Sequence, residues 1–519
     1  MEENRTDPQT ADVRRYQTVF SPRHQRFALV AGSILAQAAV FALMLTAFSR
    51  YFAYFYWLCV LVSVGVSLFI STRKTKLAYK MAWIVPILVL PIVGGAMYLI
   101  LGGGRKPKFE KAATARRYRR HLTGTVPEPD LTGRGPDCVQ QVRYLRTAAL
   151  CPAYRNTETR YFPTGAAFFP VLLEELERAE RYIFLEYFVV AGGELWSQVL
   201  DVLIRKAQAG VDVRLMYDGV GSAPTLPARY DRTLGELGIQ CRPFQPFRPV
   251  LSIHQNNRDH RKILIVDGVT GAVGGMNLAD EYIGKKERFG EWKDNALLLR
   301  GEAVWSLVVF FLDMWDRGEG VDYDAFRPAA LPPVNAAGGL VVPYADTPMP
   351  SDTICADLYL QMITKAKEYL YITTPYLIID ETMTAALSTA ARSGVDVRIL
   401  TPHIPDKKVV FQVTRSNYPV LLEAGVKIYE FTPGFLHSKV VVSDDRCASV
   451  GSCNLDYRSF YLQFENGVWL WGDPAVAAIR DDVLATLDRC REITLRDTEQ
   501  TPRLTRFLNV FYRLFAPTF

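Results

Sequence analysis

The sequence predicts two pseudo-symmetric α/β units with mixed sheets, preceded by an α-helical membrane region. Three observations lead there: long uncharged apolar segments confined to the N-terminal part, an internal repeat over most of the rest, and one polar motif present once in each copy. Of the 519 residues 22% are charged and 49% hydrophobic. That is too much charge for a wholly intramembrane protein and too much apolar surface for a disordered one. At about 150 residues per domain, the length allows roughly three folding units. The net charge of +6 is a small difference between 60 basic and 54 acidic residues, so its placement carries more meaning than its total. Eight scattered cysteines with no CxxC pair, and only six histidines, argue against a disulfide scaffold and a zinc site. No metal or cofactor is expected.

Residues 1–26 are polar, carry Arg14, Arg15, Arg23 and Arg26, and read as a disordered basic leader. A membrane region follows over 27–104, with apolar segments at 27–48, 51–70 and 81–101. Each is long enough to cross a hydrocarbon core of about 30 Å at 1.5 Å per residue. The later segments argue against a cleavable signal peptide. Basic clusters lie in the leader, at Arg73–Lys80, and from Arg105 to Arg120. Three full spans would put these clusters on opposite sides of the membrane, against the positive-inside rule. If the third segment, interrupted by Pro86, Pro91, Gly94 and Gly95, dips in and returns, every cluster faces the cytoplasm. Three ordinary spans are the alternative. Residues 105–150 read as a basic linker.

The remainder divides into halves at 151–335 and 336–500. Gly210-Val-Asp-Val-Arg214 recurs as Gly394-Val-Asp-Val-Arg398, and Leu237-Gly-Ile239 is matched by Ala424-Gly-Val426. Glu180-Arg-Tyr-Ile-Phe-Leu-Glu-Tyr-Phe-Val-Val190 is echoed by Lys367-Glu-Tyr-Leu-Tyr-Ile-Thr-Thr-Pro-Tyr376. The first half carries about seven extra residues, which fall in Pro243–Asp259, a stretch that reads as a loop. Alternating strand and helix patterns in each copy indicate α/β units with mixed sheets.

The shared motif is His260-Arg-Lys262 with Asp267, then Gly274-Gly-Met-Asn277; its counterpart is His437-Ser-Lys439 with Asp444, then Gly451-Ser-Cys-Asn454. The spacing is identical. His and Lys are two apart at the start of a β-branched run, so they share a strand face. Asp267 and Asp444 fall on the opposite parity at the strand-ending turn, which reads as structural. A neutral imidazole can attack phosphorus while Lys ammonium and Asn amide groups take up charge on the oxygens. A second imidazole can protonate the departing oxygen and deprotonate the incoming one. Each histidine needs a carboxylate on its far nitrogen. Asp294 in Trp-Lys-Asp294 and Glu465 in Phe-Glu465-Asn are the candidates.

These residues resemble the phospholipase D superfamily, defined by a duplicated HKD motif. The resemblance is closer to its bacterial membrane-anchored cardiolipin synthases and runs from about Lys80 to the C-terminus. It includes Leu90-Pro-Ile-Val-Gly94, Thr373-Thr-Pro-Tyr376 and Asn454-Leu-Asp-Tyr-Arg-Ser-Phe460. The resemblance implies phospholipase D-like units, a bacterial cytoplasmic membrane location, and conversion of two phosphatidylglycerols to cardiolipin and glycerol through a phosphatidyl-histidine. It makes His260, Lys262, Asp267, His437, Lys439 and Asp444 the catalytic motif residues, with His260 the nucleophile by analogy. Asn277, Asn454 and Ser452 would bind phosphate. Gly275 departs from the usual serine, and the segment 27–48 with its leader is additional to the usual two.

Phosphatidylglycerol and membrane lipids are the partners expected. Leu504, Phe507, Leu508, Phe511, Leu514 and Phe515 follow helical spacing in 501–519, with arginines elsewhere on the wheel, which suits an anionic interface or docking on the core. Hydrolysis by water and phosphatidylethanolamine as donor are the enzymatic alternatives. A nuclease is disfavoured by the membrane segments and the lack of a basic, aromatic strip, so no nucleic acid is expected. A catalytically silent lipid-binding scaffold is disfavoured by two intact motifs.

Overall fold

The structure, a computed structural model, describes residues 32, 34–43, 51–73, 77–98, 108–246, 257–316, 320–331, 333–334, 338–348, 353–499 and 512. The leader, most of 27–48 and all of 501–519 except Tyr512 therefore lie outside the described residues. The chain forms two compact units, one ending at Arg105 and one beginning at Lys106.

The N-terminal unit has a short apolar helix at Ile34–Leu43 and a long one, α1 (Phe52–Thr72). Among the described residues, only Ala53–Thr72 is long and apolar enough to cross a membrane. The third apolar segment is two helices, α2 (Leu77–Val89) and α3 (Pro91–Met97). Leu90 leaves helical geometry at φ −127°, ψ 74°, and Pro91 brings no N–H to continue the ladder. The turn is sharp enough that a Cβ at position 94 would collide with the Pro86 carbonyl; glycine permits the approach. Ser63 Oγ donates to the Pro91 carbonyl at 3.2 Å, which supplies a partner at the break.

In the larger unit the first half contributes β1 (Thr157–Phe162), β2 (Tyr182–Tyr187), β3 (Asp212–Asp218), β4 (Gln240–Phe244), β5 (Arg258–Asp259), β6 (Lys262–Val266), β7 (Thr270–Gly274), β8 (Glu291–Lys293) and β9 (Ala296–Gly301). Its seven-stranded sheet has the order β1-β9-β7-β6-β2-β3-β4. β2, β3 and β4 are parallel, joined by helices Glu194–Gln208 and Tyr230–Glu236; the other pairings are antiparallel. In Glu194–Gln208 the buried Leu195, Trp196, Val199, Val202 and Leu203 form one helical stripe, and Asp280 accepts the N–H groups of Glu194 and Leu195 at its start.

The second half repeats the plan with β10 (Leu340–Asp346), β11 (Tyr369–Thr373), β12 (Leu377–Ile378), β13 (Asp396–Pro402), β14 (Lys427–Phe431), β15 (Gly434–Leu436), β16 (Val440–Ser443), β17 (Cys447–Gly451), β18 (Leu455–Asp456), β19 (Gln463–Trp471) and β20 (Cys490–Ile493). The main path is β10-β19-β17-β16-β11-β13-β14-β20, the first-half order with one strand added at the edge. The repeated Asp-Val-Arg elements have a structural meaning: Arg214 pairs with Asp212 at 2.7 Å and Arg398 with Asp396 at 2.6 Å.

Two expectations need correction. Of the expected linker 105–150, the described residues 108–150 pack as part of the larger unit. Helix Lys108–Tyr118, its continuation Arg119–Thr123 and helix Pro136–Thr147 place Tyr118, Leu122, Cys138, Val142 and Leu145 in the main core, because their apolar residues cover the central helix Val304–Asp316 and its neighbours. Trp305 donates to the His121 carbonyl and Trp469 to Gln141, at 2.7 and 3.0 Å. The stretch Pro243–Asp259 is not all loop either: Pro243 and Phe244 end β4, while Arg258 and Asp259 form β5 and pair with the other half.

Candidate active site

The halves meet through two short parallel pairings. Gln463 and Phe464, at the start of β19, lie beside Arg258 and Asp259 of β5, and β15 lies beside β8. The His260 amide donates to the Phe464 carbonyl at 3.0 Å and the His437 amide to the Lys293 carbonyl at 2.7 Å. Glu465 follows Phe464 and Asp294 follows Lys293, so each histidine is presented with the carboxylate of the opposite half. His260 Nδ1 is 3.0 and 3.1 Å from the two Glu465 oxygens; His437 Nδ1 is 2.6 Å from Asp294 Oδ2. Both expected carboxylates are present and both are crossed. An N–H at Nδ1 bonded to carboxylate leaves Nε2 as the nitrogen able to attack or carry a proton.

The lysines sit beside the histidines, as strand parity requires. Lys262 Nζ donates to the His260 carbonyl at 2.5 Å, and Lys439 Nζ to the His437 carbonyl. Both ammonium groups are almost wholly buried. Burial drives the Lys262 pKa down to about 7 and the Lys439 pKa to about 8. His260 is lowered well below its ordinary value, first by burial and then by Lys262, Lys439 and His437. His437 is lowered to about 4 by burial and Lys439, with Asp294 opposing. Burial would raise Asp294, but His437 and Lys439 outweigh it and hold the carboxylate below its usual value. Glu465 is pushed up to about 7 by burial, against Lys262 and Ser452. The site thus holds neutral imidazoles beside costly buried cations, a setting that an anionic phosphodiester relieves.

Three predicted roles change. Ser452 does not present its hydroxyl to a phosphate; it is buried and donates to Glu465, because that longer carboxylate needs a partner behind it. At the matching Gly275 a Cβ would collide with Asp294 Oδ1, so glycine makes room for the carboxylate there. Asp267 and Asp444 are not in the site. Their side chains accept the amides of Glu180, Arg181 and Tyr182, and of Lys367, Glu368 and Tyr369, at 2.8 to 2.9 Å, each fastening a turn to the entry of β2 or β11. Asn277 and Asn454 each lie three residues past β7 and β17 and use one side-chain N–H: Asn277 Nδ2 donates to Tyr282 at 2.7 Å and Asn454 Nδ2 to Asp456 at 3.1 Å.

Several residues escaped sequence reading. Phe188 lies 5.1 Å from the His260 ring, and Trp292, Tyr282 and Phe435 lie 5.4, 5.6 and 5.8 Å from His437. Buried Asp218 holds Arg258 at 2.8 Å and accepts the Asp259 amide at 3.0 Å, which positions β5 ahead of His260. Arg261, fully buried, bonds to the carbonyls of Glu465, Phe310 and Asp346 and so ties the first motif to the second half. The repeat offered a signal for none of these, since Asp218 and Arg261 are matched by Pro402 and Ser438.

A protein-family model described as "Cardiolipin synthase, PLD-like domain" matches residues 172–295 and 359–485, and another, "Phospholipase_D-nuclease N-terminal", matches 53–103. Each of the first two stretches holds one histidine and the carboxylate that serves the other. The cardiolipin synthase of Halalkalibacterium halodurans is 37% identical over 465 residues, 88% of this chain and 92% of its own length. That of Geobacillus kaustophilus is 38% identical over 469 residues, 88% and 91% of the two chains. The crystal structure of phosphatidylserine synthase from Haemophilus influenzae shares the fold, with TM-score 0.55 at 17% identity over 73% of this chain and 98% of that one.

Proposed function

The chain belongs to the cardiolipin synthases, phosphatidyltransferases of the phospholipase D superfamily, and from that premise we propose that it transfers a phosphatidyl group from one phosphatidylglycerol to another, giving cardiolipin and glycerol. One observation carries the reading: two imidazoles, each backed by a buried carboxylate from the other half, share a seam with two buried lysines.

In the first step Nε2 of one histidine bonds to phosphorus and the P–O bond to glycerol breaks, while the other histidine, protonated at Nε2 once the anionic phosphodiester is bound, gives that proton to the leaving oxygen. In the second, that histidine takes the proton from a hydroxyl of the second phosphatidylglycerol, whose oxygen bonds to phosphorus as the P–N bond breaks. Lys262 and Lys439 neutralise the non-bridging oxygens throughout, with the remaining amide N–H groups of Asn277 and Asn454. His260 is the better nucleophile. Its counterpart His437, bonded at 2.6 Å to an ionised Asp294, is the one placed to hold a proton.

Mass spectrometry of the purified protein with phosphatidylglycerol alone should show cardiolipin and released glycerol in equal amounts. Phosphatidic acid without cardiolipin would assign hydrolysis instead, and cardiolipin formed only on adding phosphatidylethanolamine would change the donor.

The apolar helix α1 and the match to an N-terminal family model support membrane association. On our reading the region is multi-pass, with α2 and α3 dipping in and returning and both halves on the cytoplasmic side. Single cysteines at positions 75 and 110, in a variant lacking the native ones, should then react from the same side of inverted vesicles. Labelling from opposite sides would require a full third span.

A further inference from the structure

We propose that Tyr376, Asp406 and Lys407 form the subsite that recognises the glycerol headgroup, both the one leaving the donor and the one arriving on the acceptor. The inference rests on the transfer reading above and names the residues that would select its headgroup. Tyr376 ends the Thr373-Thr-Pro-Tyr376 turn after β11, and the next residues pair as β12 with β18, Leu377 beside Leu455 and Ile378 beside Asp456. Thr374 Oγ1 accepts the Leu455 amide at 3.0 Å, so the turn is fastened to the segment that carries Asn454. A single ring separates Tyr376 from His437: Phe435, with centroids 6.4 and 5.8 Å away.

The Tyr376 hydroxyl donates to Asp406 Oδ2 at 2.6 Å, and Lys407 Nζ donates to both oxygens at 2.8 Å. Asp406 Oδ1 has no partner among the described residues, and the side chain retains some exposure. A free carboxylate oxygen beside an ammonium with an unused N–H offers one acceptor and one donor side by side. A vicinal diol answers both, since each hydroxyl can donate and accept. Because Lys407 neutralises Asp406, the cluster presents no uncompensated negative charge to favour an ammonium headgroup. Asp406 also acts electrostatically on Lys439, which keeps the cluster close to the phosphate-binding cation.

The repeat sharpens the assignment. Asp267 caps the amide of Tyr182 as Asp444 caps that of Tyr369, so Tyr182 matches Tyr369 and Val189 matches Tyr376. At the position of Tyr376 the first half therefore carries Val189, whose side chain has no hydrogen-bonding group. A nucleophile needs no hydroxyl site, whereas the group that protonates glycerol does. In an in-line exchange the acceptor hydroxyl enters where the first glycerol left, so one subsite serves both steps.

The test is competition in detergent micelles of phosphatidylglycerol between deuterated glycerol and 1-propanol at equal concentration, with the ratio of labelled phosphatidylglycerol to phosphatidylpropanol read by mass spectrometry. The ratio is taken per transfer event and does not depend on how much variant protein is folded. Wild type should favour glycerol, and Asp406→Asn, which alters the group that accepts a substrate hydroxyl, and Tyr376→Phe, which removes the bond that holds this carboxylate in place, should each lower the ratio about tenfold. Lys407→Met, which removes the counter-ion, should raise transfer to ethanolamine relative to glycerol. Unchanged ratios in Tyr376→Phe and Asp406→Asn, with cardiolipin still formed, would overturn the subsite alone. Wild-type protein yielding only phosphatidic acid would overturn the transfer reading and the subsite with it.

Discussion

His260→Ala and His437→Ala should each lower cardiolipin formation by about 10⁴-fold or more, equivalent to at least about 5 kcal/mol of transition-state stabilisation. The two imidazoles act in series within one cycle, so neither can be spared. Their removal should nevertheless leave different traces. With a phospholipid whose leaving group departs without protonation, such as a nitrophenyl ester, His437→Ala should still form the covalent intermediate on His260 and then stall. His260→Ala should form none. Quenching labelled reactions in denaturant at alkaline pH, where phosphoramidates survive, followed by peptide mapping, reads this directly. Label on a serine or aspartate would refute the histidine mechanism, and label on His437 would exchange the two roles.

Asp294→Asn and Glu465→Gln should each cost about 10²- to 10⁴-fold in kcat with little change in KM, because both carboxylates act through an imidazole and not on the lipid. The crossed geometry makes their effects separable. Asp294, ionised beside His437, raises that imidazole's proton affinity, and burial together with Lys439 lowers it to about 4. Asparagine removes the opposing charge and leaves His437 less able to hold the proton that it must donate. With the activated leaving group Asp294→Asn should therefore form the covalent intermediate at close to the wild-type rate, and Glu465→Gln, which misorients His260, should not. Combining His437→Ala with Asp294→Asn should be no worse than His437→Ala alone, because the pair works as one unit. If Asp294 instead coupled to His260, within its own half, the crossed arrangement would be wrong.

The sequence disclosed the chemistry at the site more fully than its wiring. His260 and His437 stood out because two of six histidines share a spaced context, and a β-branched run after each lysine set the face they occupy. The opposite parity of Asp267 and Asp444 marked them as structural, and they bind backbone amides at the turns. Pro86, Pro91 and the paired glycines marked the third apolar segment as broken, and the helix does break at Leu90. The stretch 105–150 misled because its charges lie on helices whose other faces are apolar, and a partner for those faces exists only once Val304–Asp316 is in place.

What the sequence by itself determined is local and periodic: strand and helix order, the duplication, and the residue types at each motif position. These follow from short-range geometry, which neighbouring residues specify. Which carboxylate serves which histidine was decided only by tertiary structure. Asp294 and Glu465 lie at similar distances downstream of their own histidines, and only the β5–β19 and β8–β15 pairings bring each to the other's ring. The aromatic walls and the Arg261 strut have the same origin, in contacts between residues far apart in the chain, and no period of the sequence records them.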